Sequence, residues 1–198
     1  MYKRYGFLGT LRVIKSLIFT KIFYPEARLI RLPFDIRNNR FISIGKGFTT
    51  GVGCRIEAYP IENKTVLTFG IGVQINDYVH ITAMEKVVIG NNVLIASKIF
   101  ISDCSHGSYI GDQNDSSPLI PPDKRELTVK PVIIEDNVWL GEFVSVLPGV
   151  TIGMGTIVGA NSVVSKSLPS YVIAVGTPAK PIKKFNFKSQ RWEKIKYE

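Results

Sequence analysis

The segment from Ile134 to Pro169 reads as six consecutive blocks of six residues: IEDNVW, LGEFVS, VLPGVT, IGMGTI, VGANSV and VSKSLP. The first position of every block is aliphatic, and the fifth is small or branched. An amphipathic helix repeats its apolar stripe every three to four residues and a strand alternates every two, so neither produces a period of six. This period is typical of a coil in which short strands meet at corners and the aliphatic residue points inward.

Earlier blocks extend the same period towards the N-terminus. It begins at Ile44 with IGKGFT and TGVGCR, and it resumes as FGIGVQ, INDYVH, ITAMEK, IGNNVL, IASKIF and ISDCSH. The alternative is a sandwich of short strands, which needs turn clusters about every 8 to 12 residues. The segment from Ile134 to Pro169 has no such clusters, so the pattern favours one winding repeat domain.

The period stops between Gly107 and Pro131, a stretch of glycine, proline and polar residues without aliphatics in phase. Loops of this length inside compact domains are usually functional. His106 is the last residue before the loop, and an imidazole there is placed to accept a proton near neutral pH. The alternative is a loop histidine held by structural hydrogen bonds. Asp103 is placed either to hold the second nitrogen of that imidazole or to face solvent at a corner.

The repeat blocks, with IASKIFISDCSHGSY before the loop, resemble the hexapeptide-repeat acyltransferases, especially the sugar O-acetyltransferases of O-antigen and exopolysaccharide biosynthesis. They are also similar to the galactoside and maltose acetyltransferases. The resemblance implies an all-β solenoid, a left-handed parallel β-helix with three blocks per coil. It further implies that His106 takes the proton of a sugar hydroxyl whose oxygen attacks the thioester of acetyl-CoA, with no metal and no covalent enzyme intermediate.

The stretch WLGEFVSVLPGVTIGMGTIVGANSVVSKSLPSYVIAVGTPAKPIKK is similar to the CoA-binding half of the sugar acetyltransferases. That resemblance implies cofactor contacts at Trp139, Gly141, Glu142, Gly159, Ala160, Ser165, Lys166, Lys180 and Lys183. Glu142 stands where the family has a serine, and two lysines replace arginines, which weakens bidentate phosphate binding. Each lysine alone also fits a solvated side chain, and Trp139 fits either a place beside the acyl group or a filled corner.

Two upstream residues are candidates for binding the acceptor. Asn76 resembles an acceptor-binding asparagine of the galactoside acetyltransferases. His80 has either a structural role or a secondary contact with the acceptor. The resemblance also implies a homotrimer with active sites between subunits, in which His106 of one subunit faces CoA held partly by another and the acceptor is a sugar or a lipid-linked saccharide.

The composition fits one repeat domain with a packed core. The chain has 198 residues, 45% of them hydrophobic and 21% charged, and two cysteines, too few for a disulfide framework. We therefore expect a cytoplasmic protein with a repeat domain at residues 41–185 and its excursion loop at 107–131. Residues 1–40 are expected to form a helix and an extended lead-in. Residues 186–198 are expected to form a tail that is helical around Trp192.

The formal charge of +9 belongs to the two ends of the chain. Nine of the 25 Lys and Arg residues lie in 1–40 and seven lie in 180–198. No nucleic-acid motif accompanies these clusters, so nucleic acid is not an expected partner. An anionic membrane surface or a phosphate-bearing ligand fits them better.

Residues 4–23 have the pattern of a basic amphipathic helix. Its apolar positions recur at helical spacing and are Phe7, Leu11, Ile14, Ile18 and Ile22. Two alternatives follow from this pattern. The helix either covers the apolar end of the coil, as repeat arrays require, or makes a peripheral contact with an anionic membrane.

Three other functions fit the same coil. A γ-type carbonic anhydrase builds a zinc site from three histidines, whereas this chain has only His80 and His106. A xenobiotic acetyltransferase that modifies antibiotics shares the coil and the histidine, but a soluble drug does not require the basic helix. A non-catalytic scaffold would use that helix to dock on membranes and would not bind CoA.

Overall fold

A computed structural model describes residues 2–196 of the chain. Within this range, the helical segment α1 spans Tyr2–Phe23 with a kink at Gly6, whose φ and ψ are 65° and −173°. Short 3-10 helices span Asn39–Phe41 and Pro122–Lys124. The strands β1 to β20 are, in chain order, Phe34–Arg37, Ile42–Ile44, Cys54–Ala58, Leu67–Phe69, Gln74–Ile75, His80–Ala83, Val87–Ile89, Leu94–Ile95, Phe100–Ser102, Cys104–His106, Leu127–Val129, Val132–Ile134, Trp139–Leu140, Ser145–Val146, Thr151–Ile152, Ile157–Val158, Val163–Val164, Val172–Val175, Lys180–Asn186 and Arg191–Lys194.

Three parallel sheets form the sides of a coil. Sheet A has the order β5-β8-β13-β16-β18, sheet B the order β1-β3-β6-β9-β14-β17, and sheet C the order β2-β4-β7-β12-β15. The chain passes through sheets B, C and A in turn, and each strand pairs in parallel with the strand one turn later. Successive six-residue blocks therefore occupy successive sides, which is the coil that the period of six predicts.

The core of the coil is built from the first and fifth positions of the blocks. The six first-position residues are all 0% exposed: Ile134, Leu140, Val146, Ile152, Val158 and Val164. The fifth positions are also buried, and they include the polar residues Thr156 and Ser162. The Thr156 hydroxyl donates to the Pro169 carbonyl at 2.7 Å, so a buried polar group is paired as burial demands.

The turns between the sheets form edges that run along the coil. We call the column of turns from sheet A to sheet B the AB edge; it comprises 51–53, 76–78, 96–98, 141–143 and 159–161. The turns from sheet B to sheet C form the BC edge and include 84–86, 147–150 and 165–167. The excursion leaves the coil at the BC edge.

The excursion begins as a hairpin that the sequence pattern did not predict. Strand β10 pairs antiparallel with β11, so that Cys104 faces Val129 and His106 faces Leu127. Residues 107–126 close the hairpin as a long loop, and the coil resumes at Val132. The hairpin fixes both ends of the loop at the same point of the BC edge.

The N-terminal helix packs through a different face from the one the apolar pattern predicts. Its buried residues are Val13, Ser16 and Thr20. The backbone N–H of Ile30 donates to the Thr20 hydroxyl at 2.8 Å, and that of Leu32 donates to the Ser16 hydroxyl at 3.1 Å. The predicted apolar stripe instead faces outward, at 42% to 66% exposure. No helix within residues 2–196 has the length and apolar character needed to cross a bilayer.

The extended lead-in is already part of the coil. Strand β1 pairs in parallel with β3, and Leu29 bridges Thr49. Ala27 and Ile30 are buried and belong to the core. The coil thus begins one turn before Ile44, and the pattern concealed this turn because arginines and Pro33 interrupt its aliphatic positions.

The helix predicted around Trp192 is wrong. Residues Arg191–Lys194 form β20, which pairs antiparallel with β19, and β19 pairs antiparallel with β18 at the end of sheet A. The rings of Phe185 and Trp192 contact edge to face, with centroids 5.2 Å apart. Alternating residues in β19, rather than a helical stripe, supply the contacts that hold this hairpin.

Candidate active site

His106 lies at the end of β10 with its imidazole exposed to solvent. Within residues 2–196, no group lies within hydrogen-bond distance of its ring nitrogens. Its backbone is held, because the Tyr109 hydroxyl donates to the His106 carbonyl at 2.6 Å. The Arg125 guanidinium in turn donates to the Tyr109 oxygen at 2.6 Å. The backbone of His106 is therefore fixed while its ring nitrogens remain accessible, and a general base needs one such nitrogen within reach of the proton that it accepts.

Gly107 makes this arrangement possible. Its φ is +100°, a conformation that L side chains rarely adopt. A Cβ at this position would lie 2.5 Å from the Tyr109 hydroxyl oxygen and 2.7 Å from the Ser116 hydroxyl oxygen. Only glycine lets the loop turn back over the backbone of His106.

The structure corrects the predicted orienting role of Asp103. Its carboxylate is fully buried and accepts backbone N–H groups from Met84 at 2.9 Å, from Glu85 at 2.8 Å and from Lys86 at 2.8 Å. Both oxygens are thus used in holding the turn of the preceding coil, and no contact with the imidazole of His106 is formed. Asp103 stabilises the point where the excursion leaves the coil, so its assignment as a catalytic residue was wrong.

Five of the predicted binding residues lie in one column on the AB edge: Asn76, Gly141, Glu142, Gly159 and Ala160. The Asn76 amide donates to the Ile95 carbonyl at 3.1 Å. Gly141 is buried, and a Cβ there would lie 2.7 Å from the Ala160 nitrogen. Gly141 lets successive turns of the coil approach this closely. The surface of the AB edge is therefore shallow at this point, and Glu142 and Ala160 are exposed on it; we call this surface the low wall.

Trp139 faces outward from sheet A and is 48% exposed. Its register partners across the sheet are Ile157, then Ile173, then Lys183. Register partners point to the same side of a sheet, so Trp139 and Lys183 share one outer face. Trp139 therefore does not fill a corner within the single chain.

The remaining predicted cofactor residues lie elsewhere. Lys180 is exposed at the start of β19, opposite Val175. Ser165 and Lys166 are exposed on the BC edge. Ser165 lines a cleft between the hairpin and the coil, whose other walls include Ser105, Tyr109, Thr128, Lys130 and Pro148.

The predicted site residues of one chain therefore fall into two groups, which we call half-sites, on opposite margins of sheet B. His106 lies with Ser165 and Lys166 at the BC edge, and Asn76 lies with Gly141 and Ala160 at the AB edge. The side between these edges is about five residues wide, or roughly 15 Å at the rise of a strand. The two sets of predicted residues are consequently not in contact within one chain.

His80 lies on the outer face of sheet B and, unlike His106, is held by several groups. Its Nε2 lies 2.9 Å from a Glu57 carboxylate oxygen and 2.9 Å from the Thr82 hydroxyl. Arg37 donates to the other Glu57 oxygen at 2.6 Å, and the Arg55 guanidinium lies 3.0 Å from the imidazole. We call these residues the Glu57 network.

The Glu57 carboxylate is 7% exposed in this network. Burial alone would raise the pKa of its carboxyl group, but hydrogen bonds from His80 and Thr82 and the charge of Arg55 hold that pKa below its ordinary value. Sequence patterns did not indicate Glu57, Tyr109 or Arg125. Glu57 does not interrupt the period of six, so nothing in the pattern marks it. Tyr109 and Arg125 lie in the loop 107–126, which has no periodicity, so the sequence does not indicate their hydrogen bonds.

No group of three or more His, Cys, Asp or Glu side chains suited to a metal ion occurs among residues 2–196. His80 and His106 lie in separate environments, one on the wall of sheet B and one on the hairpin. The three-histidine zinc site therefore has no counterpart in this part of the chain.

Comparisons with known proteins agree with this geometry. Residues 131–166 match the family model described as bacterial transferase hexapeptide (six repeats). The chain is 49% identical over 192 residues to WbbJ of Escherichia coli (strain K12), which carries the name lipopolysaccharide biosynthesis O-acetyl transferase; the match covers 97% of this chain and 96% of that protein. It is 34% identical to the galactoside O-acetyltransferase of the same strain over 54% of this chain and 48% of that protein.

A solved structure also resembles the coil. A serine-to-alanine mutant of AntD, an N-acyltransferase from Bacillus cereus, was crystallised with dTDP-4-amino-4,6-dideoxyglucose and coenzyme A. It superposes with a TM-score of 0.68 at 26% sequence identity, covering 87% of this chain and 90% of that chain.

Proposed function

Because the chain belongs to the hexapeptide-repeat transferases and is an acyltransferase, we propose that it transfers an acetyl group from acetyl-CoA to a hydroxyl group of a surface polysaccharide sugar. The observation that carries this proposal is the exposed imidazole of His106, whose backbone is braced by Tyr109 while its ring nitrogens are free. The full-length similarity to a protein named for lipopolysaccharide O-acetylation supports the acceptor class.

In the proposed reaction, an imidazole nitrogen of His106 accepts the proton of the sugar hydroxyl as the hydroxyl oxygen attacks the thioester carbonyl. The carbon–sulfur bond then breaks, and the imidazolium returns the proton to the departing sulfur. The products are an O-acetyl ester and free CoA, so the histidine ends the cycle neutral. General-base catalysis of this kind contributes about 10² to 10⁴ in rate.

The two half-sites support a shared active site. We propose that the coil is left-handed, as in the family, and that three chains assemble so that the BC edge of one subunit meets the AB edge of its neighbour. His106, Ser165 and Lys166 would then face Asn76, Gly141 and Ala160 of a second chain. A cyclic trimer repeats such a heterologous contact three times and closes it.

The cofactor would lie along this contact. The low wall at Gly141 and Ala160 leaves room for the pantetheine arm beside Trp139, and Lys166, Lys180 and Lys183 supply positive charge for the phosphates of CoA. Glu142 sits on the same wall and would repel a phosphate, so the phosphates belong towards the lysines. The Glu57 network would bind sugar hydroxyls on the wall of sheet B, with His80 as a secondary contact.

The test is mass spectrometry of the surface polysaccharide from host cells with and without this chain. Loss of one acetyl group, restored by the wild-type chain but not by His106→Ala, is expected. Mild alkali should release the group, because an ester is labile and an amide is not. We place the reaction in the cytoplasm, where a lipid-linked saccharide would be met at the inner membrane face.

A second candidate is N-acylation of an amino sugar carried by a nucleotide, which the likeness to AntD favours. It predicts an alkali-stable acyl group and activity on a soluble nucleotide sugar. A polysaccharide whose acetylation does not change when the chain is removed, together with CoA release on an aminodideoxy sugar nucleotide, would replace the first proposal with this one.

A further inference from the structure

The outward face of helix α1 is a continuous apolar stripe. Its members are Phe7, Leu8, Leu11, Ile14, Ile18 and Ile22, and their exposures are 66%, 69%, 48%, 42%, 58% and 66%. Residues of this spacing lie on one side of a helix. The opposite side is the one fixed to the coil through Ser16 and Thr20. The helix is thus held in place by Ser16 and Thr20 together with the buried Val13 and the partly buried Phe19, and the large apolar side chains of the stripe are left without cover.

The charge of the helix has one sign. Residues 2–23 contain five cations, Lys3, Arg4, Arg12, Lys15 and Lys21, and no Asp or Glu. Lys15 and Lys21 lie on the two flanks of the apolar stripe, about 60° either side of Ile18 at the helical period of about 100° per residue. A long cationic side chain beside an apolar face, such as Lys15, is suited to reach the headgroups above buried acyl chains. The Lys21 ammonium donates to the Pro25 and Ala27 carbonyls at 3.4 and 3.3 Å.

A cleft opens on the Arg12 flank, between the helix and the first turn of the coil. Its walls include the cations Arg12, Lys15 and Arg31 and the apolar residues Pro33 and Val52. Within residues 2–196, no carboxylate lies within ion-pair distance of these three cations, although several other cations of the chain are so paired. An unneutralised basic cleft beside an apolar stripe is complementary to phosphate groups at a lipid surface.

We propose that helix α1 is a membrane-docking element, which lies in the plane of an anionic bilayer with its outward apolar stripe in the acyl region and lipid phosphates in the Arg12 cleft. The charge favours a bilayer over a protein partner, because five cations without an acid match a uniformly negative surface. This docking does not depend on acetyl transfer. In the proposed trimer, three such helices lie at the N-terminal end of the coils, and their binding to one surface is multivalent.

The test uses the full chain and sedimentation with lipid vesicles. Wild type should bind vesicles that contain about a third phosphatidylglycerol, should bind pure phosphatidylcholine at least tenfold more weakly, and should be released as salt screens the charges. Ile14→Asp/Ile18→Asp should lower the partition coefficient at least tenfold. The matched control is Ile61→Asp/Ile71→Asp, which adds the same charge at exposed apolar residues outside the helix and should bind like wild type.

A second pair of variants separates the contribution of the Arg12 cleft to vesicle binding from that of the apolar stripe. Arg12→Gln/Lys15→Gln should weaken binding to anionic vesicles severalfold, whereas Lys188→Gln/Lys194→Gln, which removes the same charge at the C-terminal hairpin, should not. Free phosphate at millimolar concentration should compete only weakly, because one anion lacks the apolar contact.

Acetyl transfer to a soluble saccharide should be equal in all these variants, which distinguishes failure of docking from failure of the proposed reaction. The proposal is overturned if wild type does not bind anionic vesicles. In that case, light scattering identifies the alternative occupant. If Ile14→Asp/Ile18→Asp then dissociates the oligomer, the stripe covers a second copy of the chain.

Discussion

The two histidines of this chain occupy opposite kinds of environment. His80 lies on the wall of the coil and is held by Glu57, Thr82 and Arg55. His106 lies on the hairpin, and its ring has no partner within residues 2–196, although its backbone is braced by Tyr109. The regular part of the fold thus fixes an imidazole through its ring, and the irregular part leaves one exposed without a partner among residues 2–196.

The largest contrast is expected in turnover. His106→Ala should lower kcat for acetyl transfer by about 10² to 10⁴, because the base that takes the acceptor proton is lost. His80→Ala should lower kcat less than about tenfold, because it removes at most a binding contact. Steady-state CoA release measures both. Equal losses of kcat for the two variants would contradict the different roles assigned to His106 and His80.

The free energy of unfolding should show the opposite order, with a larger effect of a change in the Glu57 network around His80 than of a change at His106. Glu57→Ala removes the acceptor shared by His80, Thr82 and Arg37, and we expect a loss of about 1 to 2 kcal/mol in the free energy of unfolding, since the partners are partly exposed. His106→Ala should change this free energy by less than about 0.5 kcal/mol, because the ring forms no hydrogen bond or ion pair within residues 2–196. Urea denaturation followed by circular dichroism measures both. A destabilising His106→Ala would indicate a structural histidine.

Bracing of the hairpin should matter to the chemical step alone. Tyr109→Phe removes the hydrogen bonds to the His106 carbonyl and from Arg125, and we expect kcat to fall about three- to tenfold because the base is less well positioned. The KM for acetyl-CoA should not change. Tyr171→Phe, which removes a hydroxyl that contacts Met154 on another edge of the coil, is the matched control. A change in KM without a change in kcat would assign Tyr109 to cofactor binding.

The smallest effect is a pH dependence of stability. The pKa of Glu57 is lowered in the folded protein, so its stabilising contribution is present above the ordinary glutamate pKa of about 4.3 and is lost as the pH falls through the lower folded value. The difference in Tm between wild type and Glu57→Gln should therefore shrink as the pH falls from about 5 to about 3. The Tm of His106→Ala should follow that of wild type over this range. A Tm difference for Glu57→Gln that does not change with pH would contradict the lowered pKa of Glu57.

The regular part of the fold could be predicted because its signal is local. Each first-position aliphatic residue from Ile134 to Val164 is buried as its phase implies, since the coil repeats one packing environment at every turn. The first turn escaped detection where Pro33 and arginines break the pattern, and the C-terminal hairpin escaped because β19 and β20 pair antiparallel outside the repeat.

The site could be predicted only where it coincides with the period. The end of the blocks at His106 marked the excursion, but the contacts of Tyr109 and Arg125 depend on a loop without periodicity. Asp103 was close to His106 in sequence, yet its carboxylate turns to the backbone at 84–86. Sequence proximity does not set direction at a corner, because one residue changes whether a side chain faces inward or outward.

A shared active site requires the half-site at His106 and the half-site at Ala160 to act together across two chains. Two variants test it directly: His106→Ala, which removes the base, and Ala160→Trp, which fills the exposed wall where pantetheine would lie. Each alone should be nearly inactive as a folded oligomer. Coexpressed and mixed within oligomers in equal amounts, they should recover up to about a quarter of wild-type activity, because random assembly of a cyclic trimer forms that share of intact contacts. Mixed oligomers without recovered activity would contradict a site shared between subunits.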